Sequence, residues 1–323
     1  MTPITAQQNI IPTRPGLSDE SAGMLLGLIG VAIFSLTLPF TRMAVGSFDP
    51  AFVAFGRGLV AALLASGWLY WKRAALPPRA ALAPLAMVSA GCIIGFPWLT
   101  SIAMRSVPAA HGAVLVGVLP LATAVFVALR GGERPSAGFW IMAGVGTVLV
   151  AGFALHDSGG SFHLADVALL CAVLLAALGY AEGGRLAQSL GGEQVICWAL
   201  VLSLPVLLPV TGWIAWHDAQ RIAHAGVRAW TGFAYVSVFS MFIGFFFWYR
   251  GMALGGVARV GQVQLVQPFL SLLGAAVLLK EALSWSNVLF ALAVIAVVAA
   301  GRRMRVNRDA ASAASAAAQS PAR

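Results

Sequence analysis

Apolar and polar residues in this chain are segregated into long blocks. Continuous apolar runs begin near Gly23 and recur at 23–45, 51–71, 81–103, 108–129, 137–155, 165–186, 195–213, 230–249, 257–279 and 285–301, with short polar breaks between them. About 20 apolar residues are what a helix needs to cross the hydrocarbon core of a bilayer. Strands of a membrane barrel would alternate apolar and polar positions, and these runs do not. In lipid the helix is the remaining way to satisfy every backbone N–H and C=O. The pattern predicts an all-α polytopic membrane protein with ten transmembrane helices. Residues 1–22 read as a polar cytoplasmic tail without the basic stretch and cleavage site of a secretory signal. Residues 214–229 predict a short helix lying at the interface, and the alanine- and serine-rich 304–323 predicts a disordered cytoplasmic tail.

Self-similarity divides the ten runs into two sets of five. Residues 101–136 align without a gap onto 249–284: Met104 meets Met252, Ala110 meets Ala258 and Val118 meets Val266. Pro120 then meets Pro268, and thirteen residues further on Glu133 meets Glu281. Arg42 and Arg185 each close an equivalent span upstream. The expected organisation is a first repeat at 23–155, an extracytoplasmic linker at 156–164 and a second repeat at 165–303. Five is odd, so the copies must have opposite orientation in the membrane. Inverted repeats are characteristic of carriers that alternate access around a midplane site.

Composition sharpens what is excluded. The 323 residues are 60% hydrophobic, not counting 35 glycines, and only 10% charged. A soluble domain has about 25% charged residues, so a water-soluble enzyme is ruled out. The net charge of +9 does not point to nucleic acid, because the basic residues lie in short loops and a tail and form no stripe with interleaved aromatics. With the N-terminus inside, 14 of the 20 lysines and arginines fall on the cytoplasmic side. Both termini are therefore expected to be cytoplasmic. Cys92, Cys171 and Cys197 sit in apolar runs at spacings that fit no metal site, and no cofactor is required.

Several segments together resemble the drug/metabolite transporter superfamily in its ten-span form with two EamA-type domains. They are Phe34 and Ser35 leading to Arg42, then Phe48, Asp49, Pro50 and Arg57, and the two proline-to-glutamate segments. Those segments run from Leu119 and Pro120 to Gly132, Glu133 and Arg134, and from Gln267 and Pro268 to Lys280 and Glu281. The resemblance covers about 23–303 and implies a multi-pass carrier of the bacterial inner membrane, often an exporter of amino acids or related metabolites. Its partners would be a small-molecule substrate and the lipid bilayer, as a monomer or a homodimer. Members often carry tryptophan where this chain has Phe34 and Ala177.

Candidate site residues follow from polar groups inside apolar runs. Gln264, Gln267, Pro268 and Ser271 fall at i, i+3, i+4 and i+7, on one face of the ninth helix. Glutamine in hydrocarbon is costly unless it meets a partner or water, so the face reads as a cavity wall or as interhelical glue. The equivalent face of the fourth helix, with Val116, Leu119, Pro120 and Thr123, is nearly apolar. The second half would then supply the polar groups and the first half an apolar surface. Pro39 with Ser35 and Thr37 marks the first helix as a bent gate element or as a purely structural kink. Trp98, beside Pro97, reads as a substrate contact or a belt anchor, and Tyr180 as a hydrogen-bonding group near the midplane. Glu182, three residues before Arg185, is either a proton-coupling carboxylate or an ion-pair partner. Arg42 and Arg57 flank Asp49 and read as an outer charge cluster. Glu133 and Glu281 read as anchors at span ends. No Walker-type phosphate loop, HExxH or GxSxG pattern is present. The expected activity is secondary transport, as an exporter or alternatively as a metabolite or drug importer or exchanger of the same fold, with a membrane enzyme or a channel as the other classes.

Overall fold

The computed structural model describes residues 19–130, 134–157, 163–256, 260–261, 263–303 and 306–307. Among the described residues, seven helical stretches are long and apolar enough to cross a membrane: Asp19–Val45, Pro50–Trp71, Arg79–Ala103, Ala109–Arg130, Leu164–Leu190, Gly192–His217 and Val227–Gly255. Shorter apolar helices at Trp140–His156, Gln264–Leu279 and Trp285–Ala300 fall on the fifth, ninth and tenth apolar runs. Extended backbone among the described residues is limited to one antiparallel pairing, β1 (Arg134–Pro135) with β2 (Val306–Asn307).

Several long stretches are interrupted, and sequence explains some of the breaks. The first is α1 (Asp19–Ser35) followed by α2 (Thr37–Val45), separated at Leu36. Pro39 has no N–H to donate to Ser35, and its ring crowds that carbonyl, so the helix bends one turn before the proline. Asp49 then starts α3 (Pro50–Trp71) by accepting the Ala51 N–H at 2.8 Å, with Pro50 in the first turn where a missing N–H costs nothing. The third stretch comprises α4 (Arg79–Val88), a π-helical segment Ser89–Gly95 and α5 (Phe96–Ala103). The fourth comprises α6 (Ala109–Val116) and α7 (Leu119–Arg130), followed by α8 (Ala137–Asp157). In the second half come α9 (Leu164–Leu190), α10 (Gly192–His217) and the short α11 (Ala219–Ala223), which occupies part of the expected interfacial helix. There follow α12 (Val227–Ala234), a second π-helical segment Tyr235–Ile243 and α13 (Gly244–Gly255). A 3-10 turn at Gln264–Val266 leads into α14 (Gln267–Leu279), and α15 (Trp285–Arg303) closes the bundle.

Burial is inverted relative to a soluble protein. Leu63, Val148, Leu208, Leu273 and Val277 are more than half exposed, while Arg57, Glu182, His111, Asp166 and Gln264 are buried. That arrangement is stable only where lipid replaces water at the surface. Trp71, Trp213, Trp216 and Trp285 lie exposed near helix ends, as interfacial tryptophans do. Inside, glycine lets backbones touch: a Cβ on Gly23 would lie 2.4 Å from the Gly255 nitrogen, and one on Gly251 2.8 Å from that of Gly27. Small residues at such crossings substitute van der Waals contact for the hydrophobic drive that lipid removes.

Candidate functional site

A cavity lies in the interior between helices of both halves. Its walls include Phe34, Thr37 and Leu38 at the α1–α2 bend, Arg57 from α3, Cys92 and Phe96, and Val116, Leu119 and Pro120. The second half contributes Tyr180 from α9, Ser240 and Phe245, and Gln264, Gln267, Pro268 and Ser271. Both π-helical segments reach it, one presenting Cys92 and the other Ser240, which are 148 residues apart like the two prolines. Wide π turns often occur at functional sites.

The polar groups in the cavity are unevenly satisfied. The Arg57 guanidinium is 2% exposed and donates from Nη2 to the Ser240 hydroxyl at 3.3 Å, which is itself bonded to Thr37 at 2.9 Å. Its Nε and Nη1 have no partner among the described residues, and neither do the two amide atoms of Gln264, which is 1% exposed. Aromatic rings back this polar core: Phe34 is 5.0 Å from Phe245 and 6.4 Å from Tyr180, centroid to centroid. The free space is about 30 Å³, room for one or two waters. A metabolite enters only when the walls part.

Ion clusters stand at the two ends of the span that runs from Ala109 to Arg130. At one end the chain leaves α14 through a left-handed turn at Lys280 (φ 56°). The Glu281 carboxylate pairs with Arg42 Nε at 3.2 Å and accepts the N–H groups of Ala109 and Ala110 at 3.0 and 2.9 Å. It therefore caps the start of α6, where the helix leaves N–H groups without acceptors. Arg42 also donates to the carbonyls of Met104 and Val107. A depression of about 400 Å³, lined by Arg42, Met43, Arg228 and Glu281 among others, adjoins this cluster. At the other end Glu182, 1% exposed, sits 2.8 Å from both Arg130 and Arg185.

The structure brings together Gln264, Gln267, Pro268, Ser271, Tyr180 and Pro120, and leaves other expected residues outside. Ser35 turns back onto the Ala32 carbonyl, and Thr123 onto that of Leu119, because a hydroxyl in a helix reaches the preceding turn. Pro39 acts through the bend and does not line the cavity. Trp98 is 43% exposed and packs 5.7 Å from Phe55, on a surface depression. The expected cluster of Arg42, Asp49 and Arg57 does not form. Asp49 caps α3, Arg42 pairs with Glu281, and Arg57 lies two turns inside its helix. Nor is the first half merely apolar, since it supplies Arg57 and Thr37. Glu133 lies outside the described residues. Arg57, Cys92 and Ser240 were not expected at the site, and Thr37 was expected only as part of the bend. An arginine this deep in an apolar run, and the 148-residue offset linking Cys92 to Ser240, are the signals that point to them.

Comparison with known proteins gives a consistent result. The profile of the EamA-like transporter family matches the chain twice, over residues 21–155 and 163–300. The "Uncharacterized transporter YdeK" of Bacillus subtilis (strain 168) is 51% identical over 287 residues, covering 89% of this chain and 99% of that protein. A solved crystal structure at 18% identity superposes with a TM-score of 0.59, covering 88% of this chain and 98% of that chain, a likeness of fold alone. With apolar helices outside, a polar cavity inside and two family matches spanning most of its length, this chain belongs to the EamA-like transporter family of membrane transporters.

Proposed function

We propose that the protein is a secondary carrier that exports amino acids or related small metabolites by alternating access. In this reading ten spans form two inverted five-helix repeats, 23–155 and 165–303, with both termini cytoplasmic. The observation that carries it is the cavity itself. It lies between the halves, holds buried polar groups without partners among the described residues, and is flanked by ion clusters at opposite ends of one span. Residues equivalent under the 148-residue offset, Val116 with Gln264, Leu119 with Gln267 and Pro120 with Pro268, all line it. This is what two related halves rocking about a common site require. Arg42 with Glu281 closes the outer end, and Glu182 with Arg130 and Arg185 the cytoplasmic end.

Saturable counterflow of a labelled amino acid in proteoliposomes is the expected result, and unsaturable flux would count for a channel. A growth screen of overexpressing cells against toxic amino acids and analogues selects the solute to label. Gln267→Ala is expected to weaken transport about tenfold through loss of cavity hydrogen bonding, with membrane insertion intact. Unchanged efflux in that variant removes Gln267 from the cavity wall. Glu182 serves here as an end lock, so Glu182→Gln is expected to leave the pH dependence of transport unchanged. A flattened pH profile would restore it as a proton-coupling group.

A further inference from the structure

Resting on the carrier reading, we propose that Arg57 is the anchor for a substrate carboxylate, and that the transported class is organic carboxylates with an apolar body. An ammonium group is then tolerated and not required. Among the described residues lining the cavity, Arg57 carries the one ionised side chain, and no described aspartate or glutamate lines the walls beside it. Three of its five N–H donors, one on Nε and two on Nη1, have no acceptor among the described residues. A buried cation in that state is costly, and the cost is relieved when an anion is bound. A guanidinium stays charged and presents a planar fork that matches the two oxygens of a carboxylate, which a neutral amide or ester cannot replace.

The surroundings define the rest of the ligand. The Ser240 hydroxyl, shared with Thr37, fixes one corner of the guanidinium and leaves the rest free. Gln264 offers an unpaired amide, able to donate to a carboxylate or accept from a hydroxyl or ammonium group. Phe34, Tyr180 and Phe245 form an aromatic wall that suits an apolar body. A cationic amine would meet Arg57 with no acid to offset the repulsion. The selection therefore works through charge: acids are admitted, amines are refused, and zwitterions enter by their carboxylate.

The test uses the purified full-length protein and probes built on phenyl and isobutyl skeletons. Phenylacetate, its methyl ester, phenethylamine and phenylalanine form one series; 4-methylvalerate, its methyl ester and isopentylamine form the other. The acids and phenylalanine are expected to raise the thermal unfolding temperature, and the esters and amines to leave it unchanged. This comparison needs no mutation, so it does not depend on a variant folding. In R57Q the acid-dependent rise is expected to vanish, and in R57K to need about tenfold more acid, because the charge remains without the fork. The proposal is overturned if neither acid raises the unfolding temperature, if an ester or amine matches its acid, or if the rise survives in R57Q. Counterflow separates this from the carrier reading. Saturable exchange of amines leaves a carrier without a carboxylate anchor, and acid binding with no saturable exchange leaves the anchor without a carrier.

Discussion

Gly91→Ala is expected to lower the thermal stability of the purified protein, and Gly91→Leu to yield no folded protein, while Gly67→Ala leaves stability unchanged. Gly91 lies in the π-helical segment Ser89–Gly95, which packs against α9. A Cβ at this position would stand 2.2 Å from the Leu175 carbonyl oxygen and 3.3 Å from the Gly179 nitrogen. Both are backbone atoms of a long helix, so no side chain can rotate away and one helix must move. Overpacking of this kind costs about 1–3 kcal/mol for a single carbon and more for a full side chain. The effect reaches the site, because Cys92 and Tyr180 line the cavity from the two sides of this contact. Gly67 is on the outer surface of α3 with nothing within 4 Å of its Cβ position. Thermal unfolding in detergent, followed by size-exclusion profiles, measures both. A Gly91→Ala protein that melts with the wild type would mean that the two backbones do not approach this closely.

Such a contact could not be read from the sequence, whereas the apolar runs on which it sits could. The segregation of apolar residues specifies helices in lipid through their length alone, and the structure has its helices where those runs lie. The proline bend in the first span was legible too, because Pro39 removes one donor at a known position. Periodicity also found Gln264, Gln267, Pro268 and Ser271, four residues on one face that reach one cavity.

What escaped were the partners across helices. Arg57, Asp49 and Arg42 are close in sequence and invite a single cluster, but α3 carries Arg57 about 10 Å inward from its start. Arg42 instead finds Glu281, more than two hundred residues away. Glu182 shows the same limit: Arg185 is legible at i+3, whereas Arg130 becomes its neighbour only once α7 packs on α9. Local spacing identifies which face a residue occupies. It does not say which face of another helix lies opposite.

In the proposed orientation, with both termini cytoplasmic, Glu281→Gln is expected to open the outer end of the cavity. Its carboxylate joins three elements, the end of α14, Arg42 on α2 and the first N–H groups of α6. Both α2 and α14 run from this latch to the cavity, through Thr37 and Leu38 on one and Pro268 and Ser271 on the other. Parting them exposes the site. Arg42 Nε and the Ala109 N–H both meet Oε1 and the Ala110 N–H meets Oε2, so a glutamine that keeps its oxygen at the Oε1 position loses the charge facing Arg42 and leaves the Ala110 N–H against an amide NH2. Hydrogen bonds to charged groups contribute about 1.5–3 kcal/mol each. Arg42 is about a third exposed and borders a wet depression, so screening reduces the net loss to about 1–2 kcal/mol. That corresponds to roughly a tenfold shift from closed to open at the outer end. Cys92 lines the cavity as a free thiol and reports it directly, once Cys171 and Cys197 are replaced by alanine. A membrane-impermeant maleimide added outside intact cells is expected to label Cys92 about tenfold faster in Glu281→Gln than in the parent. Glu182→Gln, at the other end of the span, is expected to leave outside labelling at or below the parent rate. Equal rates for Glu281→Gln and the parent would mean that the Arg42–Glu281 pair does not hold the outer end shut.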